Sequence, residues 1–456
     1  MMMNDTIVAI ATPPGVGAIG IIRLSGPQAL AIATVLFRFS NAKISSFRPR
    51  FVHHGKLHDH QGQFLDEALV VFMPGPHSFT GEDVVELHCH GGGMVLGAVL
   101  EACVAQGARL AEAGEFSKRA FMTGRMDLTQ AEAIMELINA PSKVAMGLAG
   151  TKLAGHLAQR IMDLRSMLEE VRVQLCVAVD FPEDEVECLP DDQLSQRLLE
   201  IQEAMAGLMA NHERAKYWRD GALVVLAGQV NAGKSSLMNA ILGIERAIVT
   251  EIPGTTRDYL EESIIIDGLP VRLVDTAGLR ASFDAVEQMG IERSRDFMRR
   301  ADLVLLLIDA DLGPGAEDED LALECDHLLI VANKMDLVQE DPLWLQQEAW
   351  VGRTVEKISA KYGQGVSSLL ATMSTIITQG VHPESHALAP NLRQQDALGR
   401  ALSELKLMHK ELSQKTPYDV LAVHLDMACA ILGEITGEIT SEAVLQAVFN
   451  DFCIGK

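Results

Sequence analysis

The residues best suited to chemistry lie at Gly228-Gln229-Val230-Asn231-Ala232-Gly233-Lys234-Ser235, followed by Ser236. This is the spacing of a phosphate-binding loop. Successive backbone N–H groups turn toward phosphate oxygens, and the helix that should follow adds its positive N-terminus. Lys234 is the expected contact of the β- and γ-phosphates, and Ser235 the expected Mg²⁺ ligand. Asp275-Thr276-Ala277-Gly278 ends an apolar run and suits a metal-bound water and the γ-phosphate. Asn333-Lys334-Met335-Asp336 ends another such run. An Asp carboxylate there accepts hydrogen bonds from the N1–H and exocyclic amine of guanine. Adenine offers no such donor pair on that edge, and an unpaired buried carboxylate is costly. Ser359-Ala360-Lys361 is expected to close over the base. Together these motifs specify a guanine nucleotide.

Such motifs need elements to hold them. Ala222–Ala227 reads as a strand feeding the loop, and Ser236–Leu242 has helical spacing. Val271–Asp275, Leu303–Asp309 and His327–Ala332 are continuous apolar runs, the pattern of parallel strands buried on both faces. Residues 217–380 therefore read as an α/β domain. Two absences shape its mechanism. Leu279 follows Gly278, where Ras-like proteins place the glutamine that orients the attacking water; Asp284 and Glu287 are the nearby polar alternatives. No arginine finger is evident, although Arg257 lies within the switch-like stretch Thr250-Glu251-Ile252-Pro253-Gly254-Thr255-Thr256-Arg257-Asp258. A positive group is expected there, since a finger is worth roughly 10³–10⁵ in rate.

The chain has 456 residues, enough for about three domains with real cores. Its net charge of −24 argues against gripping nucleic acid over a broad basic face, so an RNA partner needs a local patch or a second protein. The seven cysteines (Cys89, Cys103, Cys176, Cys188, Cys325, Cys429 and Cys453) are scattered and form no C-x-x-C pair. That pattern fits a reducing compartment without structural zinc. The first residues lack the cationic and apolar regions of a signal peptide, and no apolar run reaches membrane-span length. The expectation is a soluble, cytoplasmic protein.

Residues 1–122 read as α+β. Strands are expected at Thr6–Ala11, Ala18–Gly26 and Glu82–His90, with Gly91-Gly92-Gly93 as a strand-to-helix turn. Arg23, alone among apolar residues, is either an ordinary edge charge or an anion-binding group. Glu86, His88 and His90 share one strand face, but no third metal ligand is evident nearby. From Met126 onward the periodicity turns helical: first at Leu128–Ile138 and Leu153–Leu175, then at Leu194–His212. It resumes after Pro390 at 392–412, 418–432 and 441–449. The α/β unit is thus expected to interrupt a helical domain made of two halves, 123–216 and 381–456.

The chain resembles the tRNA modification GTPase MnmE (TrmE) family over its whole length. The likeness is carried by Ala11-Thr12-Pro13-Pro14-Gly15, Phe79-Thr80-Gly81-Glu82-Asp83-Val84, Gly114-Glu115-Phe116-Ser117, Asp127-Leu128-Thr129-Gln130-Ala131-Glu132-Ala133, the nucleotide motifs and the tail Phe452-Cys453-Ile454-Gly455-Lys456. It implies a multidomain fold: an α+β N-terminal folate-binding and dimerisation domain, an all-α helical domain and an inserted α/β P-loop (Ras-like) G domain. It also implies a homodimer that forms a heterotetramer with the FAD-containing partner MnmG. Together they would add aminomethyl or carboxymethylaminomethyl groups at C5 of the wobble uridine of certain tRNAs. The one-carbon unit would come from 5-formyl- or 5,10-methylene-tetrahydrofolate, with tRNA held largely by the partner. By position Arg23, Glu86, Arg125 and Lys456 match folate contacts; Arg125 stands where lysine is expected, which keeps the charge but not its geometry. Asn231, Thr250, Ile252 and Thr255 match a K⁺ site, Ser235 and Thr256 the Mg²⁺ site, and Glu287 the catalytic acid.

Cys453 has two readings. It is either an apolar residue docking the end of the chain or a nucleophile toward a uridine ring, which would need a lowered pKa and a nearby base. The competing function is a ribosome-assembly switch GTPase without modification chemistry. It would fit the G motifs equally well, but it leaves the N-terminal residues without a purpose.

Overall fold

The computed structural model describes residues 5–180, 190–244, 261–275, 297–325, 327–347, 349–381, 387–450, 452 and 454–455. The chain divides into two compact units: Met1–Met135 with Lys152–Met205 and Asp396–Lys456, and Glu136–Thr151 with Ala206–Gln395.

In the first unit, alternating side chains make one buried sheet face, as in Phe64–Met73, where Asp66, Ala68, Val70 and Phe72 point inward. The strands are β1 (Ile7–Ile10), β2 (Ile19–Ser25), β3 (Phe37–Phe39), β4 (Val52–His58), β5 (Phe64–Met73), β6 (Val84–His90) and β7 (Arg109–Leu110). Their order is β3-β4-β5-β6-β2-β1-β7, and every pairing is antiparallel except β1 with β7. Helices Ala29–Leu36 and Gly93–Ala105 cover the inner face, with Ile22, Leu24, Ile32, Leu36, Val70, Leu87 and Val99 in a common core. Each such side chain contributes about 1.5–3 kcal/mol on burial. The glycine run 91–93 does lead from strand into helix. Arg23 is not an edge charge: β2 lies between β6 and β1, and Arg23 sits directly opposite Glu86.

Helix His156–Asp180 packs against Tyr418–Thr436, so segments from both sides of the interrupting sequence share one core. The short helix Glu442–Asn450 brings Phe449 and Phe452 onto Leu128 and Ala131. From there Ile454 pairs antiparallel with Ala113.

A buried charge network, invisible in the sequence pattern, ties this unit together. The Arg119 side chain is 1% exposed. It donates to Asp5 Oδ1 at 2.7 Å, Glu82 Oε2 at 3.1 Å and Glu115 Oε1 at 3.0 Å. Arg109 holds the same Glu115 at 2.6 Å. Burial alone raises the Glu115 carboxyl, but hydrogen bonds from Arg109, the Glu112 N–H and Arg119 outweigh it and hold it below the usual carboxylate range. Asp5 is lowered in the same way, burial again being overcome by Arg109 and Arg119. The carboxylates therefore stabilise the fold above the ordinary carboxylate range, and that contribution is lost as pH falls through their depressed values. Arg119→Ala leaves Glu82 without its cation and the buried Glu115 with Arg109 alone, and should cost about 3–5 kcal/mol. Urea denaturation checks this: a loss under 1 kcal/mol at neutral pH, by the surface-pair standard, would show the network to be solvent-screened.

The second unit holds a six-stranded sheet, β13-β12-β11-β8-β10-β9. Its strands are β8 (Ala222–Ala227), β9 (Glu261–Ile266), β10 (Leu269–Asp275), β11 (Leu303–Asp309), β12 (Leu328–Asn333) and β13 (Val355–Lys357). All pair in parallel except β9 with β10. Every residue of β11 is buried. Leu303, Leu305 and Leu307 enter one core, while Val304, Leu306 and Ile308 enter the other, which is why the run reads as continuously apolar. Asn211 donates to the Leu388 carbonyl, and His212 Nδ1 and Arg219 both reach that of Pro390, joining the chain entering this unit to the chain leaving it.

Candidate functional site

The nucleotide motifs occupy the carboxyl ends of the parallel strands, where an α/β sheet opens its crevice. Gly228 follows β8, while Asp275, Asp309 and Asn333 close β10, β11 and β12. Within the loop Asn231 has φ 67° and Gly233 φ 103°, both left-handed. Asparagine is among the few side chains that tolerate this region. At 233 only glycine fits, since a Cβ would fall on the Asn333 carboxamide nitrogen. Lys234 Nζ donates to the carbonyls of Gly228 and Gln229, each at 2.7 Å. Ser235, in the first turn of helix Lys234–Ile244, donates its hydroxyl to the Asp275 carboxylate at 3.2 Å. That sets two oxygen ligands of the kind Mg²⁺ prefers side by side. Ala232 is buried, and Ser236 is exposed on the same helix.

At the other end, Ser359 Oγ donates to Asp336 Oδ1 at 2.5 Å. Asn333 spans the two ends: its Nδ2 donates to the Ala232 carbonyl at 2.8 Å, and its Oδ1 accepts the Ala360 N–H at 3.0 Å. Lys334 adopts φ 64° and donates to Asp309 Oδ2 at 2.6 Å. Burial would raise the Asp309 carboxyl, but Lys334 and the backbone N–H of Asp311 hold it below its ordinary range. Met335 N–H donates to the Ile358 carbonyl, and the Lys361 ammonium stands 5.0 Å from the Tyr362 ring centroid. Thr250, Glu251, Ile252, Pro253, Gly254, Thr255, Thr256, Arg257, Thr276, Ala277, Gly278, Leu279, Asp284 and Glu287 lie outside the described residues.

A second constellation lies on the outer face of the N-terminal sheet. Arg23 donates to Glu86 Oε1 through Nε at 2.9 Å and Nη2 at 2.8 Å, and its Nη1 reaches the Gly455 carbonyl at 3.4 Å. The Phe79 and Phe116 rings stand 5.4 and 5.8 Å from the guanidinium. Gly455 has φ 98°, and a Cβ there would strike the Ile10 carbonyl. Arg125 does not join this group directly but donates to the Ser78 carbonyl at 3.1 Å, beside Phe79. Lys456 and Cys453 lie outside the described residues. Of the two histidines, His88 meets Glu86 at 3.3 Å and His90 is held by Asp66 at 2.7 Å. Among the described residues no group of three potential ligands is arranged for a metal.

Two family models match the chain: "GTP-binding protein TrmE N-terminus" over residues 6–125 and "MnmE helical domain" over 128–453. A tRNA modification GTPase MnmE of Nitratidesulfovibrio vulgaris is 51% identical over 461 residues, covering all of both chains. The chain belongs to the MnmE family. Its relatives in Lawsonia intracellularis and Acetivibrio thermocellus are 45% and 40% identical, again covering all of both chains. A solved G domain, that of FeoB from Methanococcus jannaschii, is 26% identical over 34% of this chain and 97% of its own, with a TM-score of 0.26.

Membership in the MnmE family gives the N-terminal motifs a physical reading. Phe79 and Phe116 are the two rings beside Arg23, while Glu82 and Glu115 are the carboxylates on Arg119. Sequence reading missed Arg119 itself, whose partners are dispersed along the chain. It also missed Gln229, whose amide donates to Asp318 at 2.9 Å and fastens the phosphate loop to the start of helix Ala316–Glu324. The separation of 89 residues left no local signal for that pair. Among the described residues no helix is long and apolar enough to cross a membrane.

Proposed function

We propose that this chain hydrolyses GTP in the service of tRNA modification. The observation that carries the reading is the full-length likeness to tRNA modification GTPases, in a chain whose phosphate and base ends are both intact. In finer detail, with an FAD-containing partner, MnmG, it adds aminomethyl or carboxymethylaminomethyl groups at C5 of the wobble uridine, drawing a one-carbon unit from tetrahydrofolate. It acts as a homodimer whose G domains pair in K⁺. Domain limits of 1–122, 123–216 with 381–456, and 217–380 serve this reading. Lys234 binds the β- and γ-phosphates, Asp336 reads guanine, and Ser235 with Thr256 holds Mg²⁺. Asn231, Thr250, Ile252 and Thr255 hold K⁺, and Glu287 acts on the attacking water.

For the folate, Arg23, Glu86, Arg125 and Lys456 are the assigned contacts. The donor set suits a heterocycle with an amide edge, because Arg23 and Glu86 present a donor and an acceptor side by side at 21% and 18% exposure. The Gly455 carbonyl beside Arg23 supports a role for the tail in the same chemistry. Deleting Cys453–Lys456 should therefore abolish wobble-uridine modification while leaving GTP hydrolysis largely intact. Digested tRNA from cells carrying only the truncated chain, analysed by mass spectrometry, checks this. Modified nucleosides at normal levels would remove the tail from the reaction.

A further inference from the structure

The chain is acidic as a whole, but its longest run without an acidic residue lies near the N-terminus. Between Asp5 and Asp59 there is no acidic residue, while Arg23, Arg38, Lys43, Arg48, Arg50 and Lys56 supply six of the 38 basic residues. Arg23 is neutralised by Glu86. The other five are exposed and lie on β3, on β4 and in the loop that joins them. Arg38 lies on β3, the edge strand, directly opposite Lys56 on β4. Like charges so placed repel each other. Among the described residues no ion pair engages Arg38, Lys43, Arg48 or Lys56. Glu67 faces Lys56 from β5, but its carboxylate meets His54 Nε2 at 3.1 Å. Asp59 is spent on the backbone N–H groups of Gln61 and Gln63.

The loop carrying Lys43, Arg48 and Arg50 is pinned. Phe47 packs against Phe39 and His53 at 4.9 and 5.3 Å, and the Arg48 N–H donates to His53 Nε2 at 2.9 Å. The Arg50 N–H donates to the Phe72 carbonyl at 2.7 Å. Arg48 stands 5.6 Å from the ring of Phe51, which is 49% exposed. A charge on an edge strand also discourages strand pairing between molecules. Arg38 alone would suffice for that, and it does not explain three further cations on an adjoining fixed loop.

We propose that this margin is the chain's own RNA contact. Arg38, Lys43, Arg48, Arg50 and Lys56 take backbone phosphates, and Phe51 with Arg48 forms a platform on which an unpaired base stacks. A bound polyanion relieves the Arg38–Lys56 repulsion, and the negative remainder of the chain directs RNA to this patch. The inference rests on the tRNA reading above and adds where the RNA is touched.

The test uses the full chain, a triple variant (Lys43→Gln, Arg48→Gln, Arg50→Gln) and a double variant (Arg38→Gln, Lys56→Gln). An unmodified tRNA transcript is titrated by fluorescence anisotropy across a salt series. Wobble nucleosides are measured in cells lacking their own copy. The triple variant should bind about tenfold more weakly, with a salt slope shallower by about 2–3, one phosphate contact being lost per side chain. The double variant should also bind more weakly, with thermal stability equal to or above the parent's. GTP hydrolysis should not change in either. Parental affinity and slope in both variants would overturn the proposal. So would normal tRNA binding with lost modification, which would point to an acidic protein surface instead. If the parent chain itself restores no modified nucleoside, the tRNA reading fails first and this inference with it.

Discussion

Asp336→Asn will lose GTP by at least two orders of magnitude and gain xanthosine triphosphate. Guanine presents two donors, N1–H and the exocyclic amine, to a carboxylate that can only accept. An asparagine amide turns one acceptor into a donor, and a donor facing a donor leaves both unpaired once the base is seated. Sites built on a hydrogen-bonded substrate group reject its mismatch by roughly 10⁴–10⁵. Xanthine carries a carbonyl where guanine carries the amine, so the reversed polarity should restore the pairing. The Ser359 hydroxyl, 2.5 Å from Asp336 Oδ1, fixes the carboxylate's orientation and can hydrogen-bond an asparagine oxygen equally well. The variant should therefore fold. Titration with labelled GTP and xanthosine triphosphate checks the expectation, and unchanged GTP affinity would remove Asp336 from the base pocket.

Hydrolysis should be fast in potassium and slow in sodium at matched ionic strength, by a factor approaching the roughly 10³–10⁵ supplied elsewhere by an arginine finger. Leu279 cannot orient water, which leaves that task to Glu287, and with no evident arginine finger the charge developing between the β- and γ-phosphates must be met by another positive group. A monovalent cation held by the Asn231 side-chain oxygen and oxygens from Thr250 to Thr255 would supply it, and the larger ion fits a loose oxygen cage. The variant has to respect the backbone. Asn231 lies at φ 67°, so alanine would add strain there, whereas Asn231→Gly keeps the conformation and removes only the oxygen. Glycine at 231 should erase most of the salt difference and Asn231→Asp should retain it. Glu287→Ala should bind GTP yet hydrolyse it poorly. Equal rates in the two salts would return Arg257 as the missing charge.

The nucleotide site was legible because its parts are local. Each motif is a few consecutive residues at the end of an apolar run, and β11, buried along its full length, could be read as little else. Helix periodicity likewise anticipated His156–Asp180, although the break before it at Gly155, φ 87°, was read through. Sequence reading placed Arg23 in a strand but left its role open. Strand order, which puts β2 inside the sheet opposite β6, is a long-range property. The edge strand β3 is only three residues long, too short to show alternation. Arg119 resembled any surface arginine at the end of a short helix; its three carboxylate partners, two of them from distant segments, are what hold it inside.

Asn333 belongs to the base-reading motif, and its one carboxamide touches both the phosphate loop and the base loop. The two ends of the site therefore share a single mechanical joint. Native-state hydrogen exchange can follow that joint without any nucleotide present: the Ala360 amide proton should exchange only when the joint opens. The neighbouring loop amides should then follow the same opening equilibrium rather than fluctuating independently. A chemical-shift or exchange signal at this one proton would report whether the empty site is already assembled before substrate arrives.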